Sequence, residues 1–411
     1  MDRASISPGG DGVSRQTEKL GDIAAAVGLR RVHLLAWRDL DDPEAGGSEI
    51  HAAEVARRWA AAGIEVTMRT SAVPGRASRL ERDGVRLIRE AGRYRVFAHA
   101  ASREALTRGQ RDGLVEIWNG MPFFSPVWAR GPRCVFLHHV HGQMWDMALP
   151  PKLAALGNLL ERRLAPPVYR ATPIVTLSAS SKLTIVDQLR IPDESVTVIE
   201  PGVDSRFSPG GTRSEVPLVA AIGRLVPQKH FGVLLQVLFR LKRRHPELRA
   251  VIAGEGHLRP ELQAAVAEAD AHDWVELPGR LPDEEIVDLC RRAWVLASTS
   301  SHEGWGMTIT EAAACGTPAV ATRIDGHSDA VIDGVTGYLA ATVTDLEAAL
   351  DDVLSNPARR QRLGDAARAR AQQLTWDATA HGTLSVLATD VLRRDRDRRV
   401  PFVRLSEPAL D

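Results

Sequence analysis

The sequence predicts an α/β protein made of two doubly wound domains that face each other across a cleft, and three observations lead to that class. Short apolar runs alternate with helical patterns along most of the chain, as in parallel sheets covered by helices on both faces. The 411 residues exceed what one hydrophobic core usually serves, so two units of roughly 150 to 200 residues each are expected. The alternation breaks once and restarts, at "VIEPGVDSRFSPGGTRSEVP", where Pro209, Gly210, Gly211 and Pro217 mark a connection between domains.

Residues 1–28 read as a loose, disordered tail, because their apolar run from Ile23 to Val27 is too short for a signal-peptide core. The first domain, 29–207, opens on a strand at "RVHLLAW". A helix from Ser48 to Ala62 follows, with Ser48 as its N-cap, and then strands at 64–69, 114–118, 134–138 and 174–177. A linker covers 208–217. The second domain, 218–378, has strands at "LVAAIGRL", "LRAVIAGEG", "WVLAST" and "PAVAT", with a helix at "FGVLLQVLFRLKRRH" after the first. Residues 379–411 read as a helix and an Arg-rich tail returning toward the first domain.

Composition removes several function classes. No run of about 18 apolar residues is present, so no membrane-spanning helix is expected. Cys134, Cys290 and Cys315 are odd in number and far apart, which fits neither a disulfide framework nor a zinc knuckle and suits a reducing, cytoplasmic setting. The 52 basic residues balance 52 acidic ones and no basic-aromatic interleaving occurs, so nucleic acid is not an expected partner. Only five of the basic residues are lysines, which gives Lys229 interest.

The stretch "HEGWGMTITEAAACG" at 302–316 places Glu303 and Glu311 around a Gly-Trp-Gly turn. "AWVLAST" supplies a buried strand, Glu303 sits in the loop at its carboxyl end, and Met307 opens a helix closed by Gly316. Ligands bind at that edge of such sheets, and a helix amino end suits a phosphate. Gly304 and Gly306 permit close backbone approach. Carboxylates beside an anion site fit a ligand whose other parts are hydroxyls, since they accept hydrogen bonds from vicinal diols. A helix cap with an ion pair to an arginine is the plainer alternative. In "IGRLVPQKHFGVLL", Arg224 and Lys229 lie in the next loop of the same domain, placed to meet diphosphate charge. In "DPEAGGSEIHAAEV", Gly46 and Gly47 precede a helix; in "CVFLHHVHGQMWD", a strand ending near Leu137 delivers His138 to one side and His139 and His141 to the other. Asn119, at a strand end, is a further cleft candidate or a turn residue.

"EGWGMTITEAAACGTPAVAT" is similar to the E-x7-E signature of retaining glycosyltransferases of the GT-B fold, glycosyltransferase family 4, and the G-R-x4-K spacing of "GRLVPQK" resembles the diphosphate-binding element of the same family. The resemblance covers most of 30–385 and implies two Rossmann-like domains and a UDP- or GDP-sugar donor. It also implies a donor site of Gly46, Gly47, Arg224, Lys229, Glu303, Gly304, Trp305, Gly306, Met307 and Glu311, in which Glu303 meets the transferred sugar and Glu311 the ribose. The family usually has Phe at the position of Trp305. His138 is the favoured histidine beside the transferred sugar, and His138, Glu303, Arg224 and Lys229 form the expected catalytic set. Members of this type resemble metal-independent catalysts, so no metal and no cofactor is expected and "DLDD" at 39–42 is read as a solvated loop.

The expected reaction is transfer of a hexosyl unit to an acceptor hydroxyl with retained configuration. A nucleotide-sugar epimerase, a phosphorylase and a non-catalytic sugar-nucleotide-binding protein are the alternatives within the fold; a nicotinamide-dependent oxidoreductase would need a G-x-G-x-x-G after the first strand, where "RDLDDPEAGG" stands. The acceptor is open. "GQMWDMALPPKLAALGNLLERRLAPPVYR" combines apolar residues with Arg162 and Arg163, which fits either a lipid-linked acceptor with peripheral contact at the inner membrane face or a core helix with a solvated side.

Overall fold

In the computed structural model, which describes residues 10–107, 109–142 and 144–399, the first domain is built on β1 (Arg31–Leu35), β2 (Glu65–Thr70), β3 (Arg79–Arg82), β4 (Val85–Arg89), β5 (Gly113–Trp118), β6 (Arg133–Leu137), β7 (Ile174–Thr176) and β8 (Val196–Val198). They form one sheet in the order β3-β4-β2-β1-β5-β6-β7-β8. Only the β3–β4 pair is antiparallel. The strands β5 and β6 are buried along their whole length because helices cover both faces, which is why they read as unbroken apolar runs.

The second domain carries β9 (Leu218–Ile222), β10 (Arg249–Ala253), β11 (Val275–Gly279), β12 (Val295–Ser298), β13 (Ala319–Thr322) and β14 (Gly337–Ala340), all parallel, in the order β11-β10-β9-β12-β13-β14. Strand order reverses between β1 and β5 in one sheet and between β9 and β12 in the other. At such points the loops leaving neighbouring strands diverge and open a crevice. The expected two-domain GT-B architecture is therefore present.

The tail expected over 1–28 is, from Gly10 to Val27, a helix, and residues 1–9 lie outside the described residues. Leu20 and Ala24 are buried with Leu384, Leu387 and Val391 of the C-terminal helix, an amphipathic pattern that the polar composition of the segment hid. That helix, Trp376–Arg399, starts a little before the expected boundary at 379 and lies on the first domain: Trp59 Nε1 donates to the Ala380 carbonyl at 2.9 Å, and Asp390 accepts the Arg133 amide at 2.9 Å. The chain recrosses beside the linker, where a Cβ on Gly202 would stand 2.1 Å from the Trp376 nitrogen, so a side chain there would force the two crossing segments apart. The Arg-rich end at 400–411 lies outside the described residues.

Two local expectations fail. The helix Gly47–Ala61 is capped at Gly46, not Ser48; Glu49 closes the cap by accepting the Gly46 amide, and Ser48 instead accepts a hydrogen bond from Asn119 Nδ2. "DLDD" is not a solvated loop, because Asp39 and Asp42 are buried. Asp39 receives a two-point hydrogen bond from the equally buried Arg89, at 2.7 and 2.9 Å. That partner is 50 residues away in sequence and β4 was not anticipated.

The domains meet along one edge of the cleft. Asp329 of the second domain accepts the amide of Ala179 at 3.0 Å at the amino end of the first-domain helix Ala179–Leu189, and Asp325 accepts the Thr184 hydroxyl at 3.0 Å. Carboxylates at a helix amino end answer its unpaired N–H groups. The buried Asp39–Arg89 pair generates a stability prediction. Arg89→Met leaves an uncompensated buried carboxylate and is expected to cost about 3 to 5 kcal/mol, seen as a lower first-domain transition in calorimetry. Adding Asp39→Asn is expected to recover part of the loss, whereas an unchanged transition in the single variant would show that the pair contributes nothing.

Candidate active site

Glu303 and Lys229 are 74 residues apart and come from the two loops at the β9/β12 switch point. The loops are stitched together by backbone contacts: the Ser301 amide donates to the Gln228 carbonyl at 2.8 Å, and Thr299 Oγ1 donates to the Lys229 carbonyl at 2.7 Å. This fixes Lys229 opposite Glu303, and Nζ donates to Glu303 Oε1, which also accepts from Ser300 Oγ at 2.8 Å. Burial alone would raise the Glu303 pKa, but the Lys229 charge and the two hydrogen bonds hold it at about 2. Glu303 is thus an ionised acceptor at any working pH.

Behind the loop, His327 is fully buried. Its Nδ1 lies 3.0 Å from the Thr322 carbonyl and its Nε2 3.1 Å from Ser298 Oγ, which fits a neutral ring with the proton on Nδ1. A Cβ on Gly306, whose φ is +101°, would meet this ring at 3.1 Å. The turn that releases Met307 into its helix therefore needs glycine twice over, for conformation and for space.

Glu311, in the second turn of the helix Met307–Ala314, differs from Glu303 in having no hydrogen bond or ion pair among the described residues. Burial first, then the charges of Asp204 and Asp283, push its pKa up to about 7, against a smaller opposing effect of Arg206. Its half-buried carboxylate thus has the capacity to accept hydrogen bonds and no donor among the described residues to fill it. The guanidinium of Arg224 likewise makes no hydrogen bond or ion pair among the described residues. Although its side chain reaches solvent, loss of surrounding water and the like charge of Arg38 draw its pKa down, while Glu49, Glu44 and Glu303 pull the other way.

The first domain closes over this group. A Cβ on Gly47 would stand 3.1 Å from Met307 Sδ, and one on Gly304 would stand 2.7 Å from the His138 carbonyl oxygen, so both glycines serve the approach of the two walls. Gly46 does not offer its amide to a ligand, because Glu49 occupies it.

His138 is not the histidine that faces the second domain. Its ring is buried against His51, Nε2 to Nδ1 at 3.2 Å, and burial holds its pKa well below the ordinary value. The opposite side of the chain serves instead. Glu303, His302 and Arg224 all act on His139, which burial first draws down to about 4, and His139 stacks on His141. The alternation of side chains was read correctly, but the choice of side was not, because the position of the helix Gly47–Ala61 behind the strand end is a tertiary fact. Trp305 is the second correction: its indole is buried in an apolar cluster of second-domain residues, Ile309 and Ala330 among them, that also takes in Leu177 of the first domain, and it shapes the loop from below.

Of the expected residues, the structure thus brings together Lys229, Glu303, Arg224, Gly47, Gly304, Gly306 and Met307, with Glu311 one turn further along. Residues that sequence reasoning passed over are His327, Ser300 and Arg38, while His139 was weighed and His138 favoured over it. Arg38 is buried between Glu49 and Glu44, at 3.3 and 3.2 Å, and lies over the Trp37 ring. Its place just after β1 was the one available signal. The buried Glu49 and the exposed Glu44 beside it are taken up in cap and ion-pair contacts, and among the described residues no group of three or more His, Cys, Asp or Glu side chains is arranged to hold a metal ion.

Comparison with known proteins agrees with this geometry. Residues 45–207 match the family model Glycosyltransferase Family 4 and residues 204–370 match Glycosyl transferases group 1. The chain is 29% identical to a D-inositol 3-phosphate glycosyltransferase of Kribbella flavida, over 88% of this chain and 96% of that protein. It is 32% identical to a glycogen synthase of Mycobacterium tuberculosis, over 59% of this chain and 60% of that one. Among solved structures, sucrose-phosphate synthase from Thermosynechococcus elongatus superposes with a TM-score of 0.74 at 19% identity, covering 90% of this chain and all of that one. HepE of Anabaena, solved with UDP and glucose, gives 0.69 at 18%, covering 88% of this chain and all of its own. The two matched segments adjoin and together span both domains: the chain belongs to the family 4, group 1 glycosyltransferases and is an enzyme of the GT-B type.

Proposed function

We propose that the protein is a retaining hexosyltransferase that moves a sugar from a UDP- or GDP-sugar to an acceptor hydroxyl, without a metal. The observation that carries this reading is the Lys229–Glu303 pair at the β9/β12 seam, with the donor-free Glu311 in the second turn of the helix that follows. A diphosphate arriving beside Lys229 competes with Glu303 for the ammonium. Glu303, relieved of its partner, then accepts sugar hydroxyls, and Glu311 accepts the ribose diol. HepE, solved with UDP and glucose, supports the choice of donor class.

Retaining hydrolases use one carboxylate as nucleophile and another as acid. Here both glutamates are assigned to hydroxyls, so the step proposed is a front-face displacement. The bond from C1 to the donor phosphate oxygen breaks and the bond from C1 to the acceptor oxygen forms on the same side. The acceptor proton passes to the departing phosphate oxygen. Arg224, Lys229 and the amino end of the helix Met307–Ala314 stabilise the charge that develops on the diphosphate.

The acceptor reading rests on the helix Pro151–Leu159 and the turn after it. Leu153, Leu156, Leu159 and Leu164 are each about half exposed, and Lys152, Arg162 and Arg163 are exposed beside them. An apolar stripe edged with cations suits an anionic bilayer, so the enzyme is proposed to work at the inner membrane face on a lipid-linked or cell-envelope glycan. No helix of the described residues is long and apolar enough to cross a membrane.

Three outcomes are expected. Lys229→Ala lowers kcat for transfer by about 100-fold or more, the order seen when a group facing transition-state charge is removed, with little change in the acceptor KM; unchanged turnover would take Lys229 out of the mechanism. Because Glu311 titrates at about 7 when free and only its ionised form accepts both ribose hydroxyls, donor affinity rises as pH rises through 7 and levels off above it. A nucleoside diphosphate sugar has no ionisation of its own in that range, so Glu311→Gln flattens the profile if the assignment is right and leaves it unaltered if another group is responsible. Finally, co-sedimentation with vesicles containing anionic lipid is expected for the parent protein and lost on Arg162→Glu with Arg163→Glu; equal binding by both would refute the membrane reading.

A further inference from the structure

The loop after β6 presents a ring nitrogen without a hydrogen-bond partner among the described residues. His139 and His141 stack with centroids 4.8 Å apart and planes 18° from parallel. Among the described residues the buried His139 Nε2 has no hydrogen-bond partner, while His141 Nδ1 is turned toward Glu161 Oε1, 3.9 Å away. Buried polar atoms of this kind are rare unless a ligand satisfies them, and Glu303 lies close enough to act on His139.

What sets these rings is a carboxylate twenty residues downstream. Glu161 is fully buried and accepts three hydrogen bonds from the loop: the His141 amide at 2.8 Å, the Gly142 amide at 3.1 Å and Trp145 Nε1 at 3.0 Å. It occupies a π-helical turn, Leu160–Leu164, that continues the helix Pro151–Leu159. An α-helix advances about 100° per residue, so the residue inserted by a wider turn re-aims every side chain after it. Two glycines make room for the same assembly. A Cβ on Gly157 would come within 2.6 Å of the Trp145 ring, and one on Gly120 would meet His141 Nε2 and Trp145 at 3.0 Å. Nothing in the glycosyl-transfer reading assigns Glu161, and a plain α-helix would have needed neither the π turn nor a buried carboxylate.

We propose that Glu161 is a positioning residue: by holding the His141–Gly142 backbone and Trp145 it sets the His139–His141 stack so that the free His139 Nε2 faces the transferred sugar and the acceptor. The role of the stack in transfer rests on the glycosyltransferase reading above; its dependence on Glu161 does not. The carboxylate matters because all three partners are donors. In Glu161→Gln the amide oxygen can serve Gly142 and Trp145, but the NH2 group then faces the His141 amide, donor against donor.

The test uses the full chain with isotope-labelled histidine. Expected in Glu161→Gln are shifted imidazole resonances for His139 and His141, with those of His51 and His138 in place, donor affinity within about twofold of the parent, and acceptor-dependent turnover at least 10-fold lower. Gly157→Ala pushes Trp145 from the other side without touching the charge and improves the local helix propensity, so it should move the same two resonances and give the same split even if Glu161→Gln folds poorly. Unmoved resonances in both variants would overturn the proposal, as would moved resonances with turnover within twofold of an active parent. If the parent transfers no sugar from any donor, the transfer reading fails, while the resonances still decide whether Glu161 sets the stack.

Discussion

The site depends on one charge pair held at a seam. β9 and β12 are neighbours in space although a helix, two strands and two further helices separate them in sequence, and the contacts of Ser301 with Gln228 and of Thr299 with Lys229 tie the bases of their loops together. Lys229 and Glu303 sit at that meeting point, and their mutual neutralisation lets a carboxylate live in a recessed site that must also admit an anion. Without the ammonium, Glu303 would repel a diphosphate and would itself be driven toward protonation by burial. With it, the pair is close to neutral, and the proposed donor would exchange its partners.

The second acidic group is tuned the other way. Glu303 is held ionised by partners, whereas Glu311 has burial and two acidic neighbours and stays near the midpoint of its titration at neutral pH. Two carboxylates eight residues apart thus behave differently because one faces the neighbouring loop and the other faces the surroundings of Asp204 and Asp283. The first domain brings mostly uncharged contributions: glycine backbone at Gly47, the carbonyl of His138 and the neutral rings of His139 and His141. This division suits a donor anchored on one domain and an acceptor delivered by the other. The contacts of Asp325 and Asp329 with the helix Ala179–Leu189 are a natural place for the two to part and rejoin.

Much of this was legible in the sequence. Strands buried on both faces announced themselves as apolar runs, and the loops after "LVAAI" and "WVLAS" carried the residues that meet. What stayed hidden is tertiary in origin. The helix Gly10–Val27 is polar enough to pass for a tail and is ordered through the distant C-terminal helix. Asp39 looked solvated because Arg89, its partner, lies on a strand too short and charged to be recognised. Period two separated His138 from His139 and His141 but does not say which side of a strand end a helix will cover. The resemblance placed Trp305 in the donor site, while its actual surroundings are the apolar side chains of a buried cluster. Glu161 gave no signal, since a π turn leaves no pattern in composition.

The central claim is that an activated sugar is held with its diphosphate on the cations and its hydroxyls on the acids. A crystal structure with a bound nucleoside diphosphate sugar tests this most directly. The account predicts diphosphate oxygens within hydrogen-bond reach of Lys229 and Arg224, saccharide hydroxyls on Glu303 and ribose hydroxyls on Glu311. A nucleotide sugar bound elsewhere, with Lys229 and Glu303 still closed on each other, would contradict it.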